Sequence, residues 1–236
     1  IKQYAAVCEV WNQGFRPSTS DPRFAKGMEA RIVTDKPDQL LFAGFETSTS
    51  LAVRLLYELA LNPAAAEEAE HKAVRAEHGP TLGLAALKDM TYTEAAISET
   101  LRIGQIVANV PRIATRAINT PRAPAVPAGC PFSASFCGQS VLDPAAEGSQ
   151  AAFNPERWLD PKNKASLKLH QHPFGYGTHS CLGYRIARAV AAALAQELAL
   201  AYDFSADTNT TFSDFPTGSR PANELPLSLK PLRAVE

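Results

Sequence analysis

A cysteine set among glycines, directly ahead of a helix-forming run, is a place where sulfur chemistry can occur. Residues 174–183 read FGYGTHSCLG, with Phe174, Gly175, Gly177, Cys181 and Gly183 in that arrangement, and YRIARAVAAALAQELALAY follows at once. Glycines let the backbone turn back on itself. Amides of the turn and the start of a helix lower a thiol pKa and support the thiolate, the form that ligates metals. Two other readings fit the same residues. A Gly-rich turn can simply bury an inert cysteine. His170, His172 and His179 also lie near Cys181, which suggests zinc, although they complete no closed Cys/His spacing set.

Holding such a loop requires a folded framework, and the chain has the material for one. It has 236 residues, 45% hydrophobic and 20% charged, enough for one large or two small domains with a genuine core. Lys+Arg 23 against Asp+Glu 24 gives a net charge of -1, so no global charge argues for nucleic acid or an anionic membrane. The 4 cysteines (Cys8, Cys130, Cys137, Cys181) are too scattered for a disulfide framework. No apolar run approaches the roughly 18 residues of a membrane span, and no secretory leader is visible. The chain opens IKQYAAV, which points to processing or to a start further upstream, where an anchor can precede Ile1. Localisation stays unassigned.

Periodicity assigns the elements. Ile1, Tyr4, Ala5, Cys8 and Trp11 predict a short amphipathic helix, broken by Gly14, Pro17 and the run from Ser18 to Pro22. Asp35 reads as an N-cap with Pro37 in the first turn, and QLLFAGFETSTSLAVRLLYELALNP as one long, mostly buried helix stopping at Asn62-Pro63. Ala64 to Glu77 predicts a solvated helix ended by His78-Gly79-Pro80, and Thr91 to Ile103 a further helix. After Pro111 the segments RIATRAIN, TPRAPAVPAGC and PFSASFCGQS predict short strands, and LPLSLKPL a last one. Leu142 to Gln171 lacks periodicity and reads as irregular but packed. The fold class is therefore mainly α with minor β (α+β), without internal repeats.

The cysteine loop resembles the FxxGxxxCxG haem-binding loop of the cytochrome P450 superfamily at all four fixed positions, and further motifs follow the superfamily's order. AGFETS, residues 43–48, is similar to its (A/G)Gx(D/E)T(T/S) segment; SETLR carries its ExxR pair as Glu99 and Arg102; FNPERW resembles its PERF segment. Gly44 to Glu99 spans 55 residues and Arg102 to Cys181 spans 79, separations compatible with the superfamily. The likeness covers roughly residues 35–231.

On this resemblance Cys181 supplies the axial thiolate to the iron of haem b (iron protoporphyrin IX), with Phe174, Gly175, Gly177, His179 and Gly183 around it. Ala43, Gly44 and Thr47 share one helix face. The small residues let a flat cofactor approach the backbone, and Thr47 with Glu46 forms a catalytic relay delivering protons to oxygen. Glu99, Arg102 and Arg157 form a buried structural lock rather than a catalytic group. Arg112 and His179 donate to haem propionates. Ile106, Val107, Ala108, Asn109 and Val110, with Phe215 in the stretch from Asp214 to Ser219, line the substrate pocket.

The implied activity is a haem–thiolate monooxygenase inserting one oxygen atom from O2 into a lipophilic small molecule. Electrons come from a flavoprotein reductase or ferredoxin. A basic face formed by Arg157, Lys162, Lys164, Lys168, Arg185 and Arg188, against the acids Glu156 and Asp160, could dock that partner or be ordinary solvated surface. Superfamily members are about twice this long, so the chain corresponds to the C-terminal half, from the long central helix through the cysteine loop and last helix. Residues 1–34 read as a residual helix and loop, and 35–236 as the haem-binding core. Val190 stands where an acid is common. A haem–thiolate isomerase or dehydratase, and a non-catalytic haem-binding or interaction fragment, are the alternatives.

Overall fold

The computed structural model describes residues 37–63, 68–79, 86–120, 123–135, 152–215, 218–222, 225 and 227–232. The expected first helix, the break after it, the Asp35 cap and residues 1–34 as a unit lie outside the described residues.

Helix α1 (Pro37–Leu61) has two different halves. From residue 51 on it presents Leu51, Leu55 and Leu59 at i, i+4 and i+8, all buried in the main core. Each such side chain contributes about 1.5–3 kcal/mol of hydrophobic stabilisation. Its first turns leave Leu41, Phe42 and Phe45 exposed. The helix stops where the Asn62 N–H and the Asn62 side-chain amide both donate to the Glu58 carbonyl, ahead of Pro63. Helix α2 (Glu68–His78) ends at Gly79, whose φ of 82° is the left-handed conformation glycine favours.

Helix α3 (Thr91–Gly104) buries nine of its residues and sits at the centre of the assembly. Its N-cap, Met90, has no side-chain acceptor to offer. Glu70 of α2 takes over that task. Its carboxylate accepts from the Tyr92 N–H at 2.6 Å, the Thr93 N–H at 2.9 Å and the Thr93 hydroxyl at 2.6 Å. One helix thereby caps its neighbour.

The segment expected to be irregular contains regular structure. Pro155–Trp158 forms a 3-10 turn and Pro161–His170 an α-helix, here α4. Asp160 caps α4 by accepting from the Lys162 N–H, and Pro161 fits the first turn, where no amide is needed. Helix α5 (Tyr184–Ala201) starts from Gly183 and buries Ala191, Ala192, Ala195, Gln196 and Ala199. The small side chains let α1, α2 and α3 pack closely against it.

Among the described residues the strands form four antiparallel pairs. β1 (Asn109–Ile113) pairs with β4 (Pro131–Ser135), setting Arg112 opposite Phe132, and β2 (Ile118–Thr120) pairs with β3 (Ala123–Val126). β5 (Tyr202–Ala206) pairs with β8 (Leu227–Pro231), and β6 (Phe212–Phe215) with β7 (Gly218–Pro221). The architecture is mainly α with minor β. The main core joins α1, α2, α3 and α5, and a second cluster of Ala95, Trp158 and Leu167 fastens α4 and the 3-10 turn to α3. Among the described residues no helix is long and apolar enough to cross a membrane.

Candidate functional site

The cysteine loop is held by its own backbone. The Cys181 N–H donates to the Phe174 carbonyl at 2.7 Å, closing the loop, while the Gly175 N–H donates to His172 and the Ser180 N–H to Gly177. Gly175 and Gly177 have φ of 73° and 70°, where an L side chain is strained. At Gly175 a Cβ would also lie 3.4 Å from the His179 carbonyl. The Phe174 ring anchors the loop to α5, 6.1 Å from the Tyr184 ring, with the Arg188 guanidinium 5.9 Å from its centroid.

Cys181 is exposed, which sets aside the buried inert cysteine. The zinc alternative gains no support either. Among the described residues the one group of three or more metal-capable side chains is Glu77, His78 and Asp89, and Cys181 is not in it. The thiol corrects one expectation. Desolvation pushes its pKa up, with a backbone hydrogen bond from Gly183 opposing. The residue is open to an incoming group, yet protein packed around the sulfur outweighs the amides of the turn. Coordination to a metal works the other way, since a coordinating thiol is deprotonated outright.

Glu99 is fully buried and accepts five hydrogen bonds. Its Oε1 receives Arg102 Nη2 at 2.8 Å, Arg157 Nε at 2.9 Å and the Asn154 N–H at 3.1 Å. Its Oε2 receives Arg102 Nε and the Trp158 indole N–H, both at 2.8 Å. The structure therefore brings Glu99, Arg102 and Arg157 together, and adds two donors that the motifs did not reveal. Trp158 and Asn154 could have been suspected only from their places in FNPERW. The network ties α3 to the 3-10 turn. Arg188 ties α3 to α5 through Glu94 at 3.2 Å and Ser98 at 2.5 Å.

On α1, Ala43 and Gly44 are exposed and Glu46 and Thr47 half-buried. A Cβ on Gly44 would meet nothing within 4 Å, so this face is open. The Thr47 hydroxyl donates to the Ala43 carbonyl at 2.6 Å, which leaves its oxygen lone pairs for accepting. Arg112 is exposed on β1 and donates to the Pro111 carbonyl, and His179 is exposed in the loop.

The expected pocket stretch divides. Ile106 is 7% exposed and packs into the main core, because it follows the end of α3 where the chain turns inward. Val107, Ala108 and Val110 are half-buried and Asn109 exposed. Phe215 lies in β6. The basic face also divides, since Arg157 and Arg188 are spent on Glu99 and Glu94. Lys162, Lys164, Lys168 and Arg185 remain exposed.

Each of these residues offers a contact that a metalloporphyrin can use. The donor set is an accessible sulfur on a stiff loop, two exposed groups able to meet carboxylates (Arg112 and His179), and an open small-residue helix face with exposed Phe42 and Phe45 nearby.

Comparison with known proteins agrees. The family model "Cytochrome P450" matches residues 20–225. Cytochrome P450 90A4 of rice (Oryza sativa subsp. indica) is 32% identical over 201 residues, 81% of this chain and 39% of the relative. Cytochrome P450 6a8 of Drosophila melanogaster is 31% identical over 170 residues, 68% of this chain and 32% of the relative. An Arabidopsis thaliana protein named 3beta,22alpha-dihydroxysteroid 3-dehydrogenase is 30% identical over 209 residues, 86% of this chain and 43% of the relative. The chain thus spans between about a third and two fifths of the length of these relatives.

Proposed function

Because this chain belongs to the cytochrome P450 family, we propose that it binds haem b through Cys181 and serves a monooxygenase that inserts one oxygen atom from O2 into a lipophilic small molecule. The observation that carries this reading is the exposed Cys181 on a loop closed by the bond from its own N–H to the Phe174 carbonyl. Bound haem supplies the oxygen and electron chemistry. The chain's own residues do the rest. The loop holds the sulfur in place, and the Glu99 network fixes α3, on which the loop's Arg188 anchor also rests. Arg112 and His179 offer donors to the two propionates. Residues 35–236 act as the haem-binding core, and residues 1–34 precede it.

Proton handling falls to Glu46 and Thr47. The Thr47 oxygen can accept a hydrogen bond while its hydroxyl donates to Ala43; rotated away, the hydroxyl can give up its own proton as it takes one from the neighbouring donor. This acid–alcohol pair favours oxygen use over an isomerase or dehydratase. A lipophilic substrate is consistent with the steroid in the name of the Arabidopsis relative. Val107, Ala108, Asn109, Val110 and Phe215 are the chain's contribution to that pocket. Exposed Lys162, Lys164, Lys168 and Arg185 suit an acidic flavoprotein reductase or ferredoxin as electron donor.

The test is a carbon monoxide difference spectrum of the reduced, haem-loaded protein. A thiolate-type Soret band is expected, and Cys181→Ala should abolish it. A band that survives the substitution identifies a different ligand. Labelled dioxygen then separates the chemistries, because unlabelled product would remove the monooxygenase reading while leaving haem binding intact.

A further inference from the structure

A cleft of about 710 Å³ opens between α3, the Pro155–Trp158 turn, α4 and the start of α5. That volume lies within the range of roughly 300–1,000 Å³ usual for small-molecule sites. Its apolar wall carries three aromatic side chains, Trp158, Phe174 and Tyr184, and its rim carries Lys88, Lys164 and Lys168. Two further cations in the lining are already matched, Arg102 by Glu99 and Arg188 by Glu94. Among the described residues Lys88, Lys164 and Lys168 take part in no such ion pair. The cleft therefore combines an aromatic body with uncompensated positive charge. Lys164 and Lys168 stand four residues apart, on one face of α4.

We propose that this cleft binds a small amphipathic carboxylate, an acyl or aryl acid whose apolar body lies on Trp158, Phe174 and Tyr184 and whose carboxylate meets Lys164 and Lys168. Two ammonium point charges beside an aromatic wall suit a monoanion with a large apolar body. The arginine fork matches carboxylate and phosphate alike, and both arginines here are engaged; it is the aromatic wall that favours an acid with an apolar body over a free inorganic phosphate. The ligand would also bear on the cysteine loop, because the Phe174 carbonyl is the acceptor for the Cys181 N–H. The site is a binding site for an effector on the outer side of the cysteine loop; it shares Lys164 and Lys168 with the surface offered to a redox partner, and its test needs no haem.

Trp158 provides the reporter. The chain has 2 tryptophans, so in a Trp11→Phe background Trp158 is the sole indole. Bromine quenches indole fluorescence on contact, and 11-bromoundecanoate and 11-bromoundecanol differ only in the head group. Titration of the full chain should give saturable quenching by the acid, at least about tenfold weaker for the alcohol, the equivalent of one lost contact of about 1.4 kcal/mol. Lys164→Glu with Lys168→Glu should weaken acid binding by a similar factor. If that pair unfolds the chain by circular dichroism, Lys164→Gln with Lys168→Gln decides on the same criterion. Absence of quenching, equal quenching by acid and alcohol, or unchanged acid affinity in the lysine variants overturns the proposal. Displacement of the acid by millimolar inorganic phosphate as effective as by undecanoate overturns the carboxylate assignment.

Discussion

The Trp158 indole N–H is a small part of a buried ionic network, and its removal has a calculable effect. Trp158→Phe keeps an aromatic ring against Ala95 and Leu167 but deletes the 2.8 Å donor to Glu99 Oε2. That oxygen keeps Arg102 Nε alone, while Oε1 keeps all three of its donors. Glu99 has no access to water that might replace the lost bond, being 0% exposed. A net hydrogen bond to a charged group is worth about 1.5–3 kcal/mol. The smaller ring adds a modest packing loss, so the total is about 2–4 kcal/mol. For a chain of this size that corresponds to a fall in Tm of roughly 4–16 °C. Urea unfolding followed by far-UV circular dichroism measures it directly. Glu99→Gln should be worse, about 3–5 kcal/mol, because it strands two buried guanidiniums. The double variant should show coupling of about 1 kcal/mol or more between the two sites. A loss below about 0.5 kcal/mol for Trp158→Phe, or additivity with Glu99→Gln, would refute the idea that the indole acts through this carboxylate.

Thr47→Ala removes the hydroxyl but not the small-residue face, so the carbon monoxide spectrum should persist while more O2 is consumed per product formed; unchanged coupling would exclude Thr47 from proton handling. Glu70→Ala deletes the borrowed cap of α3 and should cost about 1–2 kcal/mol, with Glu70→Gln intermediate, in chemical denaturation. His71 is 2% exposed, and burial lowers its pKa against a weaker opposing pull from Glu70. The unfolded chain therefore binds the proton more readily. Stability from this site is complete above the unfolded histidine value near 6.5 and declines as pH falls below it. His71→Leu should flatten that part of the difference in Tm between pH 8 and pH 5.5, and an unaltered slope would locate the titration elsewhere.

The site was legible in the sequence wherever local geometry decides. Gly175 and Gly177 adopt positive φ in the loop that their spacing suggested. Glu99 and Arg102 meet because a helix brings i and i+3 together. What remained hidden depends on chain segments meeting from a distance. The Trp158 and Asn154 donors reach Glu99 across 55 residues or more. The Cys181 thiol is pushed up, not down, because the crowding around its sulfur is tertiary. Helix α4 is hidden because the large apolar residues of PKNKASLKLH, Leu167 and Leu169, stand two apart and show no helical period, although Asp160-Pro161 carries a usable start signal. Ile106 follows α3 and packs into the main core, a tertiary contact that its place in the chain does not reveal.

The loan of Glu70 from α2 to the first turn of α3 has a kinetic corollary. Amides at a helix beginning ordinarily trade their hydrogens with solvent freely, but those of Tyr92 and Thr93 are occupied by a carboxylate on another segment. Their deuterium uptake is then gated by undocking of α2, and the two helices behave as one cooperative foldon rather than fraying independently. Any event that lifts α2 would loosen the segment bearing Glu99 and Arg102 as well, so disturbance at a peripheral helix is felt at the lock on α3.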